Sequence, residues 1–387
     1  MIDIVIVGGG IAGLWTLARL KKLGYQAILL ESDTLGSGQT GASQGIIHGG
    51  TKYALTGKLT HSSQAIGAMP ELWRGCLAGT GELDLSQVKT LSQHQFLWAN
   101  KSIGAQLAGF FAGKVMQSRM QALKKQNYPD FFSSPNFQGK VYQLDEPVLD
   151  SFSLVEELAR QNQQAIFSMR IERIEKRADS SYRLLGNKQV IDAKTLIFCA
   201  GNGNKHLLNI ASQSEPQMQQ RPLYQPMLRG KLPLLYAHCL GTSALPRLTI
   251  SAHKMENDVV WYLGGEIAEK GINRTQNEQV VAAQQELKSW IPWHSFDNCA
   301  WAAHYVNRAE PKMNNRQRPV DPFVSERQNI ITAWPVKLAM TPIMVDMVIK
   351  NITKLRIKPN NKQVSLSNLE SVPIAKAPWQ IVPSWQQ

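Results

Sequence analysis

The chain lacks the features that mark several common protein classes. It has four cysteines in 387 residues, Cys76, Cys199, Cys239 and Cys299, and none stand in CxxC spacing. A disulfide scaffold and a cysteine metal site are therefore excluded, and reduced thiols in a cytoplasmic protein are expected. No apolar run approaches the roughly 18 residues of a membrane span. The first strand pattern begins at Ile2, so no signal peptide is expected. Acidic residues are also scarce: 29 Asp and Glu stand against 42 Lys and Arg, a formal charge of +13. That excess is either an ordinary basic surface or an attraction to something anionic, such as a carboxylate substrate, a membrane or a nucleic acid. No zinc-finger, helix-turn-helix or RNP-like pattern accompanies it, so nucleic acid is not an expected partner.

What is present begins at once. Ile2 to Val7 is a nearly continuous apolar, β-branched run, the pattern of a buried parallel strand. Gly8, Gly10 and Gly13 follow in GxGxxG spacing. Ile11 to Leu23 carries helical periodicity, and Gly24 stops it. Ala27 to Leu30 is a second strand, with Glu31 at its C-terminal end. In such a unit the first glycine permits the tight turn. The second lets the backbone approach a pyrophosphate, and the third lets helix and strand pack closely. The helix N-terminus offers N–H groups and partial positive charge to phosphates. An acid roughly twenty residues further on can accept ribose hydroxyls. The unit predicts an adenine dinucleotide.

The next run, Gly36-Ser37-Gly38-Gln39-Thr40-Gly41-Ala42-Ser43-Gln44-Gly45-Ile46-Ile47-His48-Gly49-Gly50, is small, polar and glycine-rich. It suits an extended backbone lying against a large planar ligand. Its order resembles the D-amino-acid-oxidase-like superfamily of FAD oxidoreductases. Gln39-Thr40-Gly41, Gly45 to Gly50 and Tyr53 are most similar to L-2-hydroxyglutarate dehydrogenases, and FAD-dependent glycerol-3-phosphate dehydrogenases carry a similar Ile-His-Gly-Gly stretch. The apolar strand Ala193 to Phe198 running into Ala200-Gly201 resembles the last strand of the same cofactor domain.

The resemblance implies an α/β chain: a Rossmann-like FAD-binding domain of glutathione-reductase type, with an inserted α+β substrate domain on a mostly antiparallel sheet. The cofactor domain is placed at 1–85, 145–212 and 320–360, the substrate domain at 86–144 and 213–319, and a tail at 361–387. Local patterns add detail. Val88 to Ala99 reads as strand material, as does Ala165 to Glu175. Ser153 can cap a helix with Glu156 as its partner, and Thr275 and Glu278 form a capping box for a helix to Trp290. Thr341-Pro342 opens a further helix as cap and first residue. The loop before it, Trp334-Pro335-Val336-Lys337, departs from the superfamily's glycine-rich version.

The residues implied to touch FAD are Gly8, Gly10, Ile11, Ala12, Gly13, Glu31, Ser32, Gln39, Thr40, Ala42, Ser43, Gln44, Gly45, Ile47, His48, Ala200, Gly201, Lys337 and Leu338. The implied reaction oxidises a small anionic 2-hydroxyacid or polyol phosphate by hydride transfer to flavin N5, with oxygen or a quinone as final acceptor. An amino acid or amine is the alternative substrate, and a flavoprotein that binds RNA or a membrane the second alternative. His48 suits the base that removes the hydroxyl proton; otherwise it only packs on the flavin. Arg308, in a segment similar to the family's Gly-x-Arg-Pro, suits a carboxylate or phosphate because a guanidinium grips two oxygens. The other reading of Arg308 is a surface cation. Lys337 places positive charge near flavin N1 or is a solvated loop lysine. Tyr53 and Tyr262 line the substrate cavity or simply pack. Trp379 and Trp385 beside a basic stretch either dock on the protein itself or give peripheral contact at the inner face of a membrane.

Overall fold

The computed structural model describes residues 1–50, 65–100, 120–241, 245–314, 319–364, 366 and 369–387. Tyr53 lies outside the described residues.

Two sheets organise the chain. The first begins with β1 (Ile2–Val7), α1 (Ile11–Lys22) and β2 (Ala27–Glu31). After α2 (Met69–Leu77), the chain forms β3 (Thr90–Ser92) and then enters the second sheet through β4 (Gln95–Asn100), β5 (Met120–Ala122) and β6 (Gly139–Leu144). It returns through β7 (Val148–Leu149) and α3 (Ser151–Asn162) to β8 (Ile166–Ser168), β9 (Arg173–Lys176), β10 (Tyr182–Gly186) and β11 (Gln189–Phe198). Beyond α4 (Asn204–Ile210) it builds β12 (Met218–Gly230), β13 (Ala237–Cys239), β14 (Leu248–Lys254) and β15 (Val259–Gly264). Then come α5 (Glu266–Lys270), α6 (Gln276–Trp290) and β16 (Ala300–Pro311). It closes with β17 (Phe323–Arg327), β18 (Ile330–Trp334), α7 (Thr341–Lys354) and α8 (Pro378–Ile381).

The first sheet runs β17-β18-β11-β1-β2-β8. All its neighbours are parallel except β17, and a β9–β10 hairpin pairs antiparallel with β11. Every residue of β1 is buried because both sheet faces are covered. Ile4 and Ile6 pack toward α1 and α3, whereas Val5 and Val7 pack on the opposite face with Leu207 and Leu208 of α4. The second sheet runs β16-β12-β15-β14-β13-β4-β6-β5 and is antiparallel except where β13 meets β4. This is the expected α/β fold with a second, mostly antiparallel sheet.

Strand alternation divides the second sheet into two faces. Ala237, Cys239, Ile250, Ala252, Trp261 and Leu263 share an apolar core with Val280, Ala283 and Leu287 of α6. The capping box at Thr275 and Glu278 starts that helix. The opposite face carries His238, Thr249 and Gly264 side by side across three strands.

Several local readings change. The strand material over 88–99 splits at Gln93 and His94, since β3 pairs with β7 while β4 joins the second sheet. The pattern over 165–175 splits into β8 and β9, which serve different edges. Helix α3 is capped by Asp150, whose carboxylate accepts from the Phe152 and Ser153 N–H groups. The Ser153 hydroxyl accepts instead from the Lys89 N–H, at 2.8 Å. Thr341 opens α7 but does not cap it; its hydroxyl donates to the Leu338 carbonyl.

The tail straps both sheets together. Leu35 exchanges backbone hydrogen bonds with Pro373 and Ala375, and Trp301 does so with Gln386. The Arg229 guanidinium lies 4.7 Å over the Trp385 ring, and Trp379 packs 4.1 Å from His253. Both tryptophans are thus engaged on the protein's own surface, as the docking reading expects. Among the described residues no helix is long and apolar enough to cross a membrane.

Burial under this strap holds the His253 ring neutral, lowering its pKa from 6.5 to about 4. The unfolded chain therefore binds more protons between those values. Stability should fall as pH drops through that window, by about 3 kcal/mol in all, with the loss complete below the lower value. Urea unfolding of wild type and His253→Gln at neutral pH and near the lower limit checks this. The wild type should lose more stability than the variant, and equal losses would count against it.

Candidate functional site

A cavity of about 560 Å³ lies between the two sheets. Its lining runs from Glu31 to Thr34, past Gly8 to Ala12 at the start of α1, along Gly36 to Thr40 and Ala42 to Ile46, and to His48. Cys199 to Gly203 and Ala333 to Leu338 add the rest of the floor. The second sheet supplies the roof through Leu223, Gln225, His238, Thr249, Gly264, Val306, Asn307 and Arg308.

The floor fits a dinucleotide. Gly8 has φ +115°, and a Cβ there would lie 2.5 Å from Ala200 Cα, so only glycine lets the two strand ends approach. A Cβ on Gly13 would lie 1.9 Å from the Gly8 carbonyl oxygen. Gly10 precedes α1 without a side-chain cap of its own. The Ile11 N–H is met by the Thr40 hydroxyl at 2.9 Å, which ties the glycine-rich run to the helix N-terminus. The Glu31 carboxylate accepts from the Gly9 N–H at 2.6 Å and the Ser32 N–H at 2.7 Å, and so is fixed at the rim. These residues would hold the adenosine and pyrophosphate of FAD.

The glycine-rich run also anchors the roof. The Gln44 amide donates to the Thr249 and Tyr262 carbonyls at 3.1 and 2.8 Å. A Cβ on Gly264 would lie 2.4 Å from Gln44 Oε1. The Gln39 side chain accepts from the Ala309 N–H at 2.9 Å.

His48 is the first chemistry-bearing side chain of the lining. Its Nδ1 lies 3.5 Å from Oε2 of Glu146, a carboxylate almost wholly buried. His238 stacks beside it, with ring centroids 5.8 Å apart and planes 16° from parallel. The His238 Nδ1 in turn meets the Thr249 hydroxyl at 2.8 Å. Arg308 is aimed by its strand neighbour: its Nε donates to the Arg221 carbonyl at 3.0 Å, and its Nη2 lies 3.2 Å from Glu269. Lys337 is buried and donates to the Val320 carbonyl at 3.1 Å. It follows Val336, a β-branched residue at φ +63°, spanned by a 2.6 Å hydrogen bond from the Lys337 N–H to the Pro335 carbonyl. Such a tight turn stores backbone strain at the cavity wall. Burial pushes the Cys199 thiol up to about 12, so this lining cysteine is no nucleophile at neutral pH.

The lining includes seventeen of the nineteen residues of the cofactor list, all but Gly13 and Ile47. Gly13 packs behind the glycine turn, and Ile47 is buried with its N–H on the Pro147 carbonyl. Tyr262 is also corrected. It is fully buried, Trp379 of the tail covers it at 5.8 Å, and its hydroxyl donates to Gln225 Oε1 at 2.7 Å. Gln225 meets the cavity in its place. Sequence reasoning missed Glu146, His238, Gln225 and Glu269. Only strand alternation around Thr249 could have flagged His238.

The chain matches the family model described as FAD dependent oxidoreductase, DAO, over residues 3–288. It is 40% identical over 383 residues to a probable FAD-dependent oxidoreductase of Pseudomonas aeruginosa, covering 98% of this chain and 97% of that one. The crystal structure of the FAD dependent oxidoreductase from Pseudomonas aeruginosa superposes with a TM-score of 0.85 at 37% identity, covering 98% of each chain. The fold is also shared, at 15% identity and a TM-score of 0.65 over 97% of each chain, with L-alpha-glycerophosphate oxidase from Mycoplasma pneumoniae, solved with FAD bound. Glycine oxidase from Geobacillus kaustophilus has a TM-score of 0.67 at 13% identity, covering 93% of this chain and 99% of that one.

Proposed function

Because the chain belongs to the DAO family of FAD-dependent oxidoreductases, we propose that it oxidises a small anionic 2-hydroxyacid or polyol phosphate at a carbon bearing a hydroxyl group. The observation that carries this reading is His48 in the cavity wall with the Glu146 carboxylate behind it. FAD, when bound, supplies the acceptor for the hydrogen and electron pair that leave the substrate carbon. His48 takes the hydroxyl proton, a task for which an imidazole is suited near neutral pH. An amine would not need that base, since its neutral form carries its own lone pair.

Arg308 holds the anionic group. Its guanidinium is already fixed on the Arg221 carbonyl and Glu269, so less rotamer freedom is lost on binding. Lys337 adds positive charge to the same cavity. Replacing Arg308 with Met should raise KM by about 10–100-fold, with kcat changed far less, since a charge-assisted contact is worth about 1.5–3 kcal/mol. Steady-state kinetics check this; an unchanged KM would return Arg308 to a structural role.

One observation favours the amino-acid alternative. Glu269 lines the cavity beside Arg308, so opposite charges stand together as a zwitterion would require. Comparing turnover of hydroxyacids, glycerol phosphate and amino acids tests the choice. Turnover confined to amino acids would overturn the hydroxyl reading.

A further inference from the structure

Glu146 is a buried ionisable group that has no step of its own in the reaction above. It belongs to the short link between β6 and β7, 98 residues along the chain from His48. Backbone pairing brings the two segments together. The Ile47 N–H donates to the Pro147 carbonyl and the Leu149 N–H to the Gly45 carbonyl, both at 2.9 Å. Ile46 and Val148 form an antiparallel bridge. This register fixes Glu146 beside His48 and Gly49. Oε1 accepts from the Gly49 N–H at 2.7 Å, and Oε2 faces His48 Nδ1 at 3.5 Å.

We propose that Glu146 is the positioning residue for His48: it selects the tautomer that carries its proton on Nδ1 and leaves Nε2 as the acceptor. The inference rests on the reading of His48 as the base. A carboxylate only accepts hydrogen bonds, so it favours a proton on the ring nitrogen that faces it. The nitrogen on the opposite edge is then unprotonated and can take the substrate's hydroxyl proton. With the other tautomer, Nε2 already carries a proton and cannot act as a base. The His238 ring lies nearly parallel to that of His48, with centroids 5.8 Å apart.

The geometry gives a specific consequence for Glu146→Gln. The Gly49 N–H requires an acceptor, so the amide oxygen stays on it. The amide NH2 is then left facing His48 Nδ1, which must become the acceptor. The proton moves to Nε2, although the variant is nearly isosteric. The corresponding carboxylate-to-amide change in serine proteases costs about 10⁴ in kcat for the same reason.

Histidine-labelled holoenzyme, read by long-range proton–nitrogen NMR in alkaline buffer with His48→Asn for assignment, reports the tautomer without any substrate. Wild type should show Nδ1–H, and Glu146→Gln should show Nε2–H with FAD still bound. Flavin reduction by whichever hydroxyl compound bleaches the wild type should slow by about 100-fold or more, with little change in KM. Glu146→Asp keeps a carboxylate and should keep Nδ1–H, so it serves if Glu146→Gln does not fold. The same tautomer in wild type and Glu146→Gln, or Nε2–H in Glu146→Asp, would overturn the proposal. An inverted tautomer with unchanged flavin reduction would support Glu146 as the positioning residue and remove His48 as the base.

Discussion

Replacing His48 with Ala should slow anaerobic flavin reduction by a hydroxyl substrate by about 10²–10⁴-fold, the usual contribution of a positioned general base. FAD should remain bound, because the turn at Gly8 to Ala12, Glu31 and the Thr40 contact to the helix N-terminus are untouched. The effect should fall on kcat, since proton removal strengthens only as the hydroxyl bond breaks. Stopped-flow absorbance at the flavin band measures it directly. With an amino acid as reductant the same variant should lose little. If amines reduce the wild type and His48→Ala equally well while hydroxyacids reduce neither, the hydroxyl reading fails.

The second large effect is expected at Gly8. Alanine there must adopt φ +115° and place its Cβ 2.5 Å from Ala200 Cα and 2.6 Å from its nitrogen. Those are backbone atoms and cannot rotate away, so β1 and the end of β11 must separate. The strain and displacement should cost about 2–4 kcal/mol in stability. The same movement opens the turn beneath the pyrophosphate, so purified Gly8→Ala should carry little FAD. Gly75→Ala is the control: it lies within α2, and its Cβ would meet nothing closer than 3.7 Å. Helix propensity alone predicts a neutral or slightly stabilising change there, up to about 1 kcal/mol. Thermal unfolding and the ratio of flavin to protein absorbance compare the two. Full flavin content in Gly8→Ala would contradict the packing account.

The parts of this molecule that could be read from the sequence are those whose cause is local. Strand, glycine turn, helix and second strand lie within residues 2–31, and their ends fall within a residue of expectation. The parts that could not be read depend on distant partners. Asp150 and Ser153 are both plausible caps by composition; the choice follows from Lys89, whose N–H engages the Ser153 hydroxyl. Tyr262 lies on the same sheet face as Thr249 and Gly264. It misses the cavity because Trp379, more than a hundred residues later, covers it. No pattern around Glu146 assigns it a role, and only the pairing of 45–49 with 147–149 brings it to His48. Val336 has a positive φ of 63°, which no local preference of a β-branched residue would suggest.

The most direct test is the absorbance spectrum of the purified protein during anaerobic addition of 2-hydroxyacids, glycerol phosphate and amino acids in turn. The account predicts a flavin band that bleaches with a hydroxyacid or polyol phosphate. A band that bleaches only with amino acids, or with none of these compounds, would contradict it.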